Sequence, residues 1–145
     1  MENSGGDLLL ADDDPDDCSL FQDALAELSI ERPLIIVHNG EELMVHLYNS
    51  NQFPDIIFLD LNMPGKNGFE CLKEIKMDRT LREIPVIIIS TSSEQNVIDQ
   101  LYSSGAQFYI RKPNEFSHLK NLIANAIQRV EKPILSSRSN FIILP

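Results

Sequence analysis

Four short apolar runs, each unbroken and each halted by a polar group, constrain what this chain can fold into. Leu8–Ala11 ends in aspartates, Leu34–Val37 in His-Asn-Gly, Ile56–Leu59 in Asp60, and Val86–Ile89 in Ser90. A fifth, weaker run, Gln107–Ile110, meets Arg111-Lys112-Pro113. A strand with one wet face alternates apolar and polar residues. A continuous run rich in β-branched side chains is instead dry on both faces, as strands of a parallel sheet are.

Between the runs lie helical periodicities. Pro15 opens the first helix, which carries Leu20, Phe21, Ala24, Leu25 and Leu28 at helical spacing and runs to about Leu28. The others run from Gly40 to about Tyr48, from Gly68 to about Met77, from Ser93 to about Ser104, where Gly105 stops it, and from Asn114 to about Val130. Strand and helix alternate five times, which predicts an α/β doubly wound parallel sheet. Right-handed crossovers then put helices on both faces.

In such sheets ligands bind beyond the carboxyl ends of the strands. The residues that follow each strand therefore carry the chemistry. They are Asp12, Asp13 and Asp14 after the first strand, and Asp60 with Leu61-Asn62-Met63-Pro64-Gly65 after the third. Ser90, Thr91 and Ser92 follow the fourth, and Lys112-Pro113 the fifth. Several carboxylates on one rim repel one another unless a cation sits among them. Hard oxygen donors suit Mg²⁺, which keeps part of its hydration and takes one or two carboxylates plus a phosphate. A lysine is a point-charge binder for a phosphoryl oxygen, and a serine hydroxyl both donates and accepts. The set is equipped to hold a metal beside a phosphoryl group, with a carboxylate as the nucleophile that carries it.

In that order and at those places, ADDD, FLDLNMPGKNG, IIISTS and YIRKP resemble the receiver domain of two-component response regulators, over Asp7 to Val130. The DPDD loop and PVIIISTSS look most like stand-alone bacterial receivers, including those paired with phytochrome-type or hybrid histidine kinases. The resemblance implies a flavodoxin-like (βα)5 fold with strand order 2-1-3-4-5. It implies that Asp60 accepts a phosphoryl group from a sensor histidine kinase. Asp13 would be the direct metal ligand, with Asp12 acting mainly through water, and the Asn62 backbone carbonyl and Asp60 completing the set around Mg²⁺ or Mn²⁺. Lys112 would bridge to Asp60 and then to the phosphoryl oxygens. Ser90 would swing toward the phosphoryl group beside Thr91, and Tyr109 would change rotamer with it. A half-buried aromatic is the other reading of Tyr109. The Lys112–Pro113 bond is expected to be cis. Ser90 stands where Thr is commoner and keeps the hydroxyl. Thr91 stands where many members carry Ala or Gly, which predicts a phospho-state that is not unusually short-lived. The resemblance implies a phosphoacceptor and not an enzyme, contacting a downstream protein or phosphotransfer protein through the face of helix four, strand five and helix five. Self-association through that face is left open.

Two other classes fit less well. A haloacid-dehalogenase-like Mg-dependent phosphatase needs a second acid two residues after its nucleophile, and Asn62 occupies that place. An FMN-binding flavodoxin-like protein needs a phosphate loop after the first strand, where the aspartates would repel a phosphate. A formal charge of −10 argues against direct nucleic-acid binding. No apolar run approaches a membrane span, no signal peptide is visible, and two cysteines outside any CxxC pair suit a reducing, cytoplasmic setting. Asp14, Asp16 and Asp17 read as solvated acids at a helix N-terminus. The expected organisation is an arm at 1–6, a domain at 7–131 and a tail at 132–145. The tail ends in Phe-Ile-Ile-Leu-Pro. It reads either as a disordered end, or as a segment docked on its own domain, on a twin, or held by a partner.

Overall fold

A computed structural model describes residues 5–145. Five strands alternate with five helices: β1 Leu8–Ala11, α1 Pro15–Glu27, β2 Leu34–Val37, α2 Gly40–Asn49, β3 Ile56–Asp60, α3 Gly68–Met77, β4 Val86–Ser90, α4 Gln95–Ser103, β5 Phe108–Arg111 and α5 Phe116–Glu131. All pairings are parallel, in the order β2-β1-β3-β4-β5. β3 and β4 each run one residue past their apolar stretch, so Asp60 and Ser90 are the last residues of their strands. Among the described residues, no helix is long and apolar enough to cross a membrane.

The period of two along a strand divides the core between the faces. Leu9, Ala11, Ile57, Leu59, Val86, Ile88 and Tyr109 pack with Leu43, Leu47, Leu72, Ile75 and Leu101 of α2, α3 and α4. Leu8, Leu10, Ile56, Phe58, Ile87, Ile89, Phe108 and Ile110 pack with Phe21 and Leu25 of α1 and Leu122, Ile123 and Ile127 of α5. Phe21 meets Phe58 edge-on with ring centroids 4.9 Å apart. Residues 34–36 of β2 are only half-buried, as the end strand of the order should be.

Helix starts are fixed locally. Asp14 caps α1 by accepting from the backbone N–H of Asp16 and Asp17, with Pro15 at the first helical position. Asn67 and Glu70 form a reciprocal capping box on α3. Cys18 and Cys71 are buried, and burial pushes both thiols up to about 11. They are packing residues.

Of the expected arm, residues 1–4 lie outside the described residues. Gly6 is tied down: its N–H donates to Asp55 (2.7 Å), and its carbonyl accepts from the Arg32 guanidinium (2.9 Å). The tail docks on its own domain. Ile142 forms a parallel bridge to Tyr109. Tyr109 N–H donates to the Phe141 carbonyl, and Ile143 N–H donates to the Tyr109 carbonyl, each at 2.9 Å. Phe141 and Ile143 are each 2% exposed and enter opposite faces of the core. The Phe141 ring meets Tyr102 edge-on at 5.3 Å. Arg129 holds the approach by donating to the Asn140 carbonyl at 2.8 Å.

Candidate functional site

Strand register decides which rim residues meet. Ala11 pairs with Leu59, so Asp12 falls beside Asp60. Ser90 pairs with Arg111, and the Lys112 N–H extends that ladder to the Ser90 carbonyl at 2.8 Å. The pleat then decides which way side chains leave. Continuing the alternation of each strand, Asp12, Asp60 and Lys112 share the parity of the α1/α5 face, and Ser90 that of the α4 face.

The first three do converge. Lys112 Nζ lies 3.2 Å from Asp12 Oδ2 and 3.6 Å from Asp60 Oδ2. Asp12 and Asp60 are 2% and 5% exposed. Asp12 Oδ1 accepts from the Asp14 N–H at 3.0 Å, and Asp60 Oδ1 from the Asn62 N–H at 3.5 Å. Asp13 is exposed, yet one of its oxygens joins one each from Asp12 and Asp60 in a group within 4.8 Å. Burial pushes the Asp60 carboxyl up to about 6 against the pull of Lys112, with the Asp12 charge adding to the rise. Burial also raises Asp12, opposed by the Asp14 N–H and by Lys112. Burial draws the Lys112 ammonium down, but its hydrogen bond to Asp17 and the charges of Asp60 and Asp12 outweigh that and hold it above its ordinary value. The result is a sealed pair of acids with one ammonium against them and an open mouth at Asp13.

The family model of the response regulator receiver domain matches residues 8–124. The chain belongs to the response regulator receiver family. It is 32% identical over 121 residues to the response regulator Rcp1 of Synechocystis, covering 80% of this chain and 82% of that protein. Its fold is similar to the phosphorylated cyanobacterial phytochrome response regulator RcpA, with a TM-score of 0.82, 33% identity, and coverage of 92% and 99% of the two chains. The Mn²⁺-bound form of Rcp1 superposes with a TM-score of 0.76 at 30% identity, covering 90% of this chain and 99% of that one. The phosphatase and flavin-binding readings have no such support.

In this receiver the acid group fits a divalent cation. Three hard oxygen donors lie close together, two of them buried with, among the described residues, one ammonium against them, and a cation would offset their mutual repulsion. The loop that follows Asp60 is shaped by glycine. A Cβ on Gly68 would stand 2.5 Å from the Asp60 carbonyl oxygen and 2.7 Å from Leu61 Cα, so the α3 start can press on the rim only without one. Gly65 takes φ +70°, in the left-handed region. Asn62 itself is exposed.

The hydroxyl group of residues sits apart from the acids. Ser90 is buried, and its Oγ accepts from the Ser92 N–H at 3.2 Å. Tyr109 is fully buried, not half-buried, and donates its phenol to the Ser92 carbonyl at 2.6 Å. Thr91 is exposed and shares an open depression with Lys112, Pro113 and His118. Among the described residues, no side-chain hydrogen bond joins Ser90, Thr91 or Tyr109 to the carboxylates.

Two expectations need correction. The Lys112–Pro113 bond is not cis: no described peptide bond is. Trans is the lower state of an X–Pro bond by about 0.5–1 kcal/mol. The residues around Lys112 are placed by the β4 ladder and the ion pairs without the cis form. Asp17 is not merely a solvated acid: its Oδ2 lies 2.8 Å from Lys112 Nζ, nearer than either Asp12 or Asp60. Asp17 stands at position N3 of α1, six residues past the end of β1.

Proposed function

We propose that Asp60 accepts a phosphoryl group from the phosphohistidine of a sensor histidine kinase, and that the α4–β5–α5 face passes the state on to a protein target or phosphotransfer protein. The carrying observation is Asp60 itself, a nearly sealed carboxylate with Lys112 3.6 Å away and the oxygens of Asp12 and Asp13 beside it. An Asp60 oxygen forms the bond to phosphorus as the phosphorus–nitrogen bond of the donor breaks, and that electron pair stays on the imidazole. Such transfer is driven by positioning and charge neutralisation more than by covalent help from the protein. When bound, Mg²⁺ would offset charge on the transferring oxygens, with Asp13, Asp12, Asp60 and the Asn62 carbonyl as its protein donors. Mn²⁺ would fit the same oxygens, and the Mn²⁺-bound form of Rcp1 supports that. Lys112 meets the new oxygens from the α5 side.

Afterwards Asp60 carries about two negative charges. Ser90 and Tyr109 both lean on Ser92, at the start of the β4–α4 loop. A Ser90 hydroxyl drawn toward the phosphoryl group gives up the Ser92 N–H and frees Tyr109 to turn. The bias on that loop is limited to the differential interaction, about 1–3 kcal/mol. The resemblance to phytochrome response regulators favours a phytochrome-type kinase as the donor. The tail occupies the output side, so removing residues 133–145 changes self-association or kinase binding. Unaltered behaviour in both would discard that role.

The test is incubation with acetyl phosphate and Mg²⁺, followed by intact mass. One phosphoryl group is expected on the unsubstituted chain and none on Asp60→Asn. Label retained by Asp60→Asn would refute the assignment. The released phosphate should appear over minutes or longer, because Thr91 borders the approach; a half-life of seconds would contradict that.

A further inference from the structure

We propose that Asp17 is a positioning residue of the phosphoryl site, a tether that holds the Lys112 ammonium back from Asp60 until a phosphoryl group outcompetes it. The proposal rests on Asp60 being the acceptor. Lys112 Nζ touches three carboxylates, and the distances rank them: 2.8 Å to Asp17, 3.2 Å to Asp12 and 3.6 Å to Asp60. The longest is to the residue that Lys112 is needed for.

Asp12 and Asp17 differ in what else they can do. An Asp12 oxygen belongs to the group with Asp13 and Asp60, and Asp17 does not. A cation that takes up Asp12 leaves Asp17 as the one contact competing for the ammonium among those three. The α1 cap sets the tether's position. Asp14 Oδ1 accepts from the Asp17 N–H at 3.4 Å and from the Asp16 N–H at 2.8 Å, which fixes the first turn. Asp17 is a third exposed, whereas Lys112 is 19% exposed. The tether is therefore partly screened, strong enough to bias the lysine and weak enough to yield to a doubly charged group. Asp16 is the built-in comparison: the same charge, one residue away, without a contact to Lys112.

The experiment uses the full chain in saturating Mg²⁺, titrated with beryllofluoride as the phosphoryl mimic and followed by the amide resonances of Ser90 and Lys112. Asp17→Asn is expected to half-saturate at about three- to fivefold lower beryllofluoride than the unsubstituted chain, the scale of a partly exposed ion pair. Asp17→Glu, which keeps the charge, should return most of the way. Asp16→Asn should stay near the unsubstituted value. The Lys112 ammonium nitrogen, observed directly without beryllofluoride, should exchange its protons faster in Asp17→Asn. An unchanged or weaker titration in Asp17→Asn overturns the tether, as does an equal gain in Asp16→Asn, which would assign the effect to net charge. No beryllofluoride response in the unsubstituted chain would overturn the acceptor reading, and the tether with it.

Discussion

Asp60 at the rim and Phe141 at the β5 edge are both nearly sealed from solvent, 5% and 2% exposed, yet one is held against a desolvation cost and the other by a desolvation gain. At the rim the fold crowds acids together and, among the described residues, sets a single ammonium, that of Lys112, in contact with them. At the edge it spends an apolar ring and two backbone hydrogen bonds on one residue, Tyr109. The contrast separates a region built to change partners from one built to keep them. Uncompensated charge is what makes the rim responsive to a cation or a phosphoryl group, and satisfied backbone bonds are what hold the main chain of the edge in register.

The sharpest way to break the contrast is Phe141→Ala. Truncating a buried Phe costs about 3–5 kcal/mol in a core that cannot escape, but a terminal segment can undock instead. The expected result is tail release with the sheet intact. The amides of Tyr109 and Ile143 should exchange with solvent at least about a hundredfold faster, while the β1 and β3 amides keep their protection. Unchanged protection at Tyr109 would show that the edge does not depend on the ring.

A change of opposite sign is expected from Asp60→Asn in the presence of a chelator. The folded carboxyl sits at about 6, above its ordinary value of 3.8, so between those values the folded chain holds a proton that the unfolded chain has lost. The penalty on the fold is fully present above about pH 6 and fades as pH falls toward 3.8. Asp60→Asn should therefore add about 1–2 kcal/mol to the unfolding free energy at pH 8 and progressively less toward pH 4, by denaturant titration. A gain that does not shrink on acidification would remove burial as its cause. The smallest effect expected is that of Asp14→Ala, which deletes the cap of α1. It should cost about 1 kcal/mol and also loosen the turn that carries Asp17. A stability change near zero would mean that solvent replaces the cap.

How far the sequence can be read follows the same division. The rim was legible because β1, β3, β4 and β5 run apolar until a polar residue ends them; the order Asp12, Asp60, Ser90, Lys112 then falls to one end of a parallel sheet. What escaped depended on tertiary placement. An acid in a first helical turn is favoured by the helix dipole whatever else it touches, so Asp17 looked fully explained before α1 was packed beside Lys112. Tyr109 ends in a run that resembles a strand of modest apolarity. Phe141, more than thirty residues on, packs beside its ring and pairs with its backbone, and nothing local announces that. The apolar end of the tail showed that water was unsuitable for it but not which surface would cover it. The Lys112–Pro113 bond could not be settled from residue types, since the two isomers of such a bond differ by less than the contacts around it.

Asp60 and Ser90 close neighbouring strands with opposite parity of the pleat, and both stand at the rim where the sheet ends. The ground over α4 already has a tenant: Arg138 of the tail lies 3.5 Å from Asp99, with its guanidinium 5.0 Å from the centre of the Tyr102 ring. A partner for that face would have to share it with the chain's own last residues, whereas the mouth at Asp13 stays uncovered.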